Sequence, residues 1–253
     1  MKYLIAGLAL LLSCSNTFSQ NSCGFGCLGL SGIYGGYSYE NYNAAGFNNY
    51  LNSINYSFGE GYVKDDGAPQ FGRGAGFRIG VNLFRAKFKT FFLTTKVFYQ
   101  FLKESGSIHG SLDGGERFKD VYDLNLNHAG IAFDFGMPVY KILDVKILEA
   151  GIVIMKSELV NTMRIDDEIF YERKYERSPR NVDYYLGSGL IFHAIPNYVS
   201  LEGTAAYNFY NVQEMEDDSG GKLSNSAAGA PVDNFIETGK FSYTVQINIG
   251  IPI

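Results

Sequence analysis

The chain has 253 residues, 46% of them hydrophobic and 19% charged, with 30 Gly, 20 Phe, 19 Tyr and no Trp. So much aromatic and glycine content with so little charge excludes a disordered chain and a helical bundle. A net charge of −5 with no basic cluster excludes nucleic acid as a partner.

The first element is the leader, MKYLIAGLALLLSCSNTFSQ. Lys2 precedes an apolar run from Leu4 to Leu12, too short for the roughly 20 residues of a membrane helix but suited to a signal-peptide core. Thr17 and Ser19 stand at −3 and −1 for cleavage before Gln20, so residues 1–19 are read as a signal peptide. A competing reading exists, because LLSC (Leu11–Cys14) resembles a bacterial lipobox that would place a lipid on Cys14.

Residues 20–27 then form a periplasmic N-terminal segment with Cys23 and Cys27 in NSCGFGC. In an oxidising compartment that pair reads as a local disulfide. A C-x₃-C without a nearby His lacks half of a zinc ligand set, so no metal and no cofactor is expected.

Eight segments of alternating polarity follow within residues 28–253. They run at about 28–39, 73–84, 90–102, 121–135, 145–160, 182–192, 199–209 and 240–253. The last is the clearest: Phe241, Tyr243, Val245, Ile247, Ile249 and Ile251 alternate with Ser242, Thr244, Gln246 and Asn248. In the fourth, Leu124 and Leu126 are out of phase with Ile131, Phe133 and Phe135, which predicts a β-bulge near His128–Gly130. Short connections (RAKFK, GMPVYKILD, HAIPNY) alternate with long ones at about 41–72, 103–120, 161–181 and 211–235. With no later run long enough for a membrane helix, only a closed barrel could cross a bilayer. Short turns alternating with long loops are the pattern of outer-membrane barrels. Tyr37, Tyr39, Phe101, Tyr207, Phe209 and Tyr210 fall near segment ends, where aromatic girdles belong. Within the first long connection, GFNNYLNSI is read as a short helix on the barrel mouth.

The leader, the eight segments and the terminal YTVQINIGIPI resemble the small eight-stranded outer-membrane β-barrels of the OmpA-transmembrane-domain type, and the Gln after the cleavage point resembles those of Bacteroidota. One departure is Ile253, where such barrels often end in Phe or Trp. The fold expected is therefore all-β: a single eight-stranded antiparallel transmembrane β-barrel in the outer membrane of a Gram-negative cell, with short periplasmic turns and long extracellular loops.

Alternation turns Arg78, Lys96, Asp134, Glu149, Glu202 and Lys240 inward, where opposite charges in so narrow a lumen must pair. The Ser107/His109/Ser111/Asp113 grouping sits on one Gly-rich loop, which seldom assembles a triad, and His193 reads as an incidental turn residue. The function expected is a non-enzymatic structural or interaction protein. The resemblance adds the variant of an accessory subunit in an envelope or secretion complex, of type IX kind. The alternatives are a narrow, porin-like channel or transporter for small molecules, and a lipid-modifying enzyme. Expected partners are outer-membrane lipid, lipopolysaccharide and another envelope protein. Asp65–Asp66, Asp166–Asp167 and Asp217–Asp218 are weak candidates for Ca²⁺.

Overall fold

In a computed structural model the described residues are 32–54, 63–64, 67–112, 115–178, 182–196, 198–224 and 231–250. The expected signal peptide 1–19, the segment 20–27, Cys14, Cys23, Cys27, Asp65–Asp66, Asp113 and Ile253 lie outside them. Strands dominate: β1 (Gly32–Asn43), β2 (Val63–Lys64), β3 (Arg73–Lys87), β4 (Phe92–Ser111), β5 (Arg117–Tyr140), β6 (Leu143–Ile165), β7 (Glu168–Ser178), β8 (Val182–Ile195), β9 (Val199–Phe209), β10 (Glu214–Glu216) and β11 (Thr238–Gly250). One helix, α1, spans Ala45–Ser53.

Eight strands close a ring in the order β1–β3–β4–β5–β6–β8–β9–β11, and β11 returns to β1 with Gly32 opposite Gly250. All its pairings are antiparallel. The fold expected from alternation is the one observed. Closure removes the open edges that hydrocarbon could not satisfy.

The polarity of the wall changes with height. Toward the short turns, the outward residues are apolar, as in Phe77, Ile79, Ile131, Phe133, Phe135, Ile152, Ile154 and Val245. The inward residues at that level include the charged and polar Arg78, Lys96, Asp134, Glu149 and Glu202, with a small apolar cluster of Phe98, Ala132, Val153 and Ala206 packed among them. Such a belt belongs against acyl chains. Higher up the arrangement inverts. On β6 the outward series passes from Ile152 and Ile154 to Lys156, Glu158 and Arg164, while Met155, Leu159 and Met163 turn inward.

This inversion corrects the predicted bulge. β5 pairs without a register shift through His128–Gly130. Leu124 and Leu126 point inward because they belong to an apolar core above the membrane, whereas Ile131, Phe133 and Phe135 point outward into lipid.

The long connections are also more ordered than loops. β4, β5 and β6 have 20, 24 and 23 residues, about twice the 9–11 that crossing requires. Their upper halves, with β7 and β10, build a β-sheet crown. Its core is sealed by α1, which buries Phe47 and Leu51, one turn apart on one face. Asn48 clamps the helix down, its amide both donating to and accepting from the backbone of Phe71 at 2.8 Å. Gly46 permits the close seat, since a Cβ there would lie 2.3 Å from the carbonyl oxygen of Asn234.

Candidate functional site: the filled lumen and the crown

Five of the six residues expected to point inward do so: Arg78, Lys96, Asp134, Glu149 and Glu202 are buried. Lys240 is not. A register shift between β1 and β11 leaves both Lys240 and Phe241 facing outward between the buried Gly239 and Ser242, so the phase slips by one residue. Sequence alternation also missed Lys146, which is fully buried at the centre of the lumen. The cause is the same. On β6, Ile147 and Leu148 both face lipid, so Lys146 and Glu149 both face inward.

Lys146 joins Glu149 and Glu202 and donates to Thr204 Oγ1 at 2.6 Å. Lys96 bridges Asp134 at 2.7 Å and Glu202 at 2.5 Å. Arg78 lies 3.7 Å from Glu149, donates to Gln100 at 2.8 Å, and stacks over Phe98. Gln246 and Asn248 each donate to Glu202 Oε2 at 3.2 Å, and Tyr185 donates to Glu149 at 2.7 Å. Tyr185 reaches that carboxylate because it lies over Gly151, where a Cβ would meet its ring at 2.0 Å.

Three carboxylates (Asp134, Glu149, Glu202) therefore meet three cations (Arg78, Lys96, Lys146), and the formal charge cancels. Oxygens of the three carboxylates come within 4.8 Å of one another, close enough to suit a metal ion. The two lysine ammoniums already occupy that coordination role, so the donor set fits an ion-pair network better than a cation site.

Two further tiers flank the centre. At the periplasmic end, Asp144 is held by Arg85 (3.2 Å), Lys87 (3.1 Å) and His193 (2.8 Å). His193 is thus a buried lumen residue rather than an incidental one. Its signal was available, since it continues the inward phase of β8 two residues past Ile191. Toward the crown, Glu40 accepts from Tyr210 at 2.6 Å and from Gln100 at 3.4 Å. Tyr210 is consequently an interior residue and not part of the girdle.

The remaining candidates resolve as follows. Ser107 and His109 share a 2.9 Å hydrogen bond on β4. Ser111 is drawn into pairing with Val63. Asp166 and Asp167 both adopt positive φ at the β6–β7 turn, and Asp166 accepts from the Arg117 backbone. Asp217 spends its carboxylate on Ser219 and Gly221 within its own turn, and these bonds hold its carboxyl below the usual range. Both aspartates serve local geometry.

Comparison with known proteins adds little beyond shape. No family model matches and no curated protein matches. Among solved structures, the attachment invasion locus protein Ail of Yersinia pestis is 9% identical, covering 88% of this chain and 99% of its own, with a TM-score of 0.42. Neisserial surface protein A (NspA) is 10% identical over 88% and 99%, with a TM-score of 0.40. The outer membrane protease OmpT of Escherichia coli is 10% identical over 88% and 95%, with a TM-score of 0.36. At these values the fold rests on the strand ring itself. The expectation of a non-enzyme is corrected here. A protease stands among these barrels, and a barrel alone does not decide whether chemistry is done on it. The ring, the apolar belt and the short turns at one end place the protein in the outer membrane.

Proposed function

We propose that this barrel is a closed membrane anchor whose extracellular crown engages another envelope protein. One observation carries the reading: the lumen is filled along its length, by Asp144 and its partners below, by the Lys96–Lys146 network in the middle, and by the apolar core under α1 above. Eight strands leave an interior just wide enough for such side chains. A barrel built only to hold a pore would not continue three strands to twice the membrane's thickness and seal them with a helix. An accessory place in a secretion complex, of type IX kind, is one form this role can take. Lipid is the second partner: a shallow recess of about 410 Å³ on the outer wall has Phe77 and Phe101 below and Lys103, Asn125 and Asn127 above, matching an acyl chain and its headgroup.

The test is direct. Purified protein in planar bilayers should show no unitary conductance, and affinity purification from native membranes should retain a second envelope protein. Steady conductance that disappears on neutralising Lys96 and Glu202 would overturn the reading.

A further inference from the structure

The bulge in β11 aims one lysine at the membrane surface. Unbroken alternation from Ser242, Thr244 and Gln246 would turn Lys240 inward, whereas the bulge sets it outward beside Phe241. Bulges are enriched where a side chain has to be re-aimed. This one lies opposite Asn41 of β1, whose amide donates to the Phe241 carbonyl at 3.3 Å. Asn41 pairs in turn with the exposed Arg73 at the start of β3. Lys240, Asn41 and Arg73 therefore form one row across three neighbouring strands, with the two cations roughly 10 Å apart at the usual strand spacing.

The row stands on the upper edge of the belt. One rung below lie Tyr243, Tyr39 and Ala75, and below these Val245, Tyr37 and Phe77. Tyr37 and Phe77 meet edge to face at 5.9 Å. Polar over aromatic over apolar is the order in which a bilayer passes from headgroup to acyl chain. The lysines nearest the same edge on β4 and β6 are spent within the protein: Lys103 on Asp123 at 3.1 Å, and Lys156 on Glu176 at 3.0 Å and Glu158 at 3.5 Å. Among the described residues, Lys240 and Arg73 have no carboxylate partner. Of the acids close by, Glu104 is taken by Tyr42 and the main-chain N–H groups of Gly72 and Arg73, and Glu237 is taken by Asn43. In a chain of net charge −5, two unpaired cations fixed at the lipid edge call for an anion that resides there.

We propose that Lys240, Asn41 and Arg73 form a binding site for the phosphorylated headgroup of lipopolysaccharide, whose acyl chains lie on Tyr37 and Phe77 below. Ammonium and guanidinium groups give phosphate oxygens charge-assisted hydrogen bonds, and Arg can give two at once. The row faces the leaflet on the crown side of the barrel, where that glycolipid resides. Two cations roughly 10 Å apart across the strands suit a disaccharide with a phosphate at each end better than the single phosphodiester of a phospholipid. Asn41, between them, lies under the sugar. The inference rests on the barrel's place in the outer membrane and is independent of the crown's role.

The test uses full-length protein in detergent micelles. Diphosphoryl lipid A, its dephosphorylated form and phosphatidylglycerol are added as separate probes, and bound lipid is counted by native mass spectrometry. Diphosphoryl lipid A should bind most tightly, and Arg73→Gln/Lys240→Gln should weaken it by about tenfold or more, the size of a lost charge-assisted hydrogen bond. Each single substitution should show part of that loss. Arg73→Lys/Lys240→Arg should keep most of the affinity, and Lys156→Gln/Lys174→Gln, which removes ion-paired lysines, should leave it unchanged. Heat-modifiable migration of every variant shows that the barrel has closed. Equal affinity for phosphorylated and dephosphorylated lipid A would overturn the inference. So would an equal loss in the Lys156→Gln/Lys174→Gln control, or phosphatidylglycerol bound as tightly with the same dependence on Arg73 and Lys240. Loss on Lys103→Gln, with Arg73→Gln/Lys240→Gln unaffected, would keep lipid at the recess beside Lys103 and remove this site.

Discussion

The ammonium of Lys146 on β6 lies 2.5 Å from a carboxylate oxygen of Glu202 on β9, across 56 positions of sequence and the one strand, β8, that separates them in the ring. Neither group is accessible to solvent, and each is held by at least one further ionic partner. Removing one member of such a set strands a buried charge, which costs more than the intact pair contributes. Lys146→Met should lower stability by about 3–5 kcal/mol, read as an earlier urea midpoint in lipid vesicles. Lys146→Met with Glu202→Gln leaves two charges of each sign and should recover part of that loss. A double variant no better than the single one would show that the network is not balanced as drawn.

The helix α1 should behave as a separable seal. Phe47 is buried between Phe71, Tyr122 and Phe235, with ring centroids 4.5–6.0 Å away. Phe47→Ala should cost about 3–5 kcal/mol, confined to the crown. Limited proteolysis should then cut near α1 in the variant and not in the wild type, while the belt strands stay protected.

How much of this was legible in the sequence depends on height in the barrel. Within the membrane each strand has lipid on one side and a polar lumen on the other, so alternation alone turned Arg78, Lys96, Asp134, Glu149 and Glu202 inward, as they are found. It failed at Lys146 and Lys240, where two consecutive residues share a face. A local bulge leaves the composition unchanged and only shifts the phase. Above the membrane the rule reverses. Leu124 and Leu126 looked like a fault in β5 because the sequence gives no sign of where lipid stops and water begins. β7 and β10 were read as loop because their alternation is masked by charges that pair with one another across strands.

The same change of solvent predicts opposite outcomes for one substitution at two heights on β5. Phe133 lies outward in the belt and is 56% exposed to acyl chains, so Phe133→Arg should cost about 2–4 kcal/mol near the midplane. Asn125 lies outward on the same strand in the crown, so Asn125→Arg should be close to neutral. Folding titrations into vesicles of one lipid would read both, and equal penalties would disprove the assigned lipid edge.

Acid should loosen the crown before the belt. Hydrogen bonds from Lys156 and then Lys174 hold the Glu176 carboxyl below its usual range. A carboxylate depressed in the folded state stabilises it above the unfolded value of about 4.3, and that contribution is lost as pH falls through the folded value. Glu176 ties β7 to β6 and lies where β10 begins its pairing. Between pH 7 and pH 3, amide protection along Glu168–Ser178 should fall while that of β11 stays constant. The change should be smaller in 1 M salt, because these groups face solvent and the Debye length there is about 3 Å. Glu176→Gln should show weaker protection of β7 already at pH 7 and a flatter response to acid. A variant that keeps the wild-type pH profile would remove Glu176 as the cause.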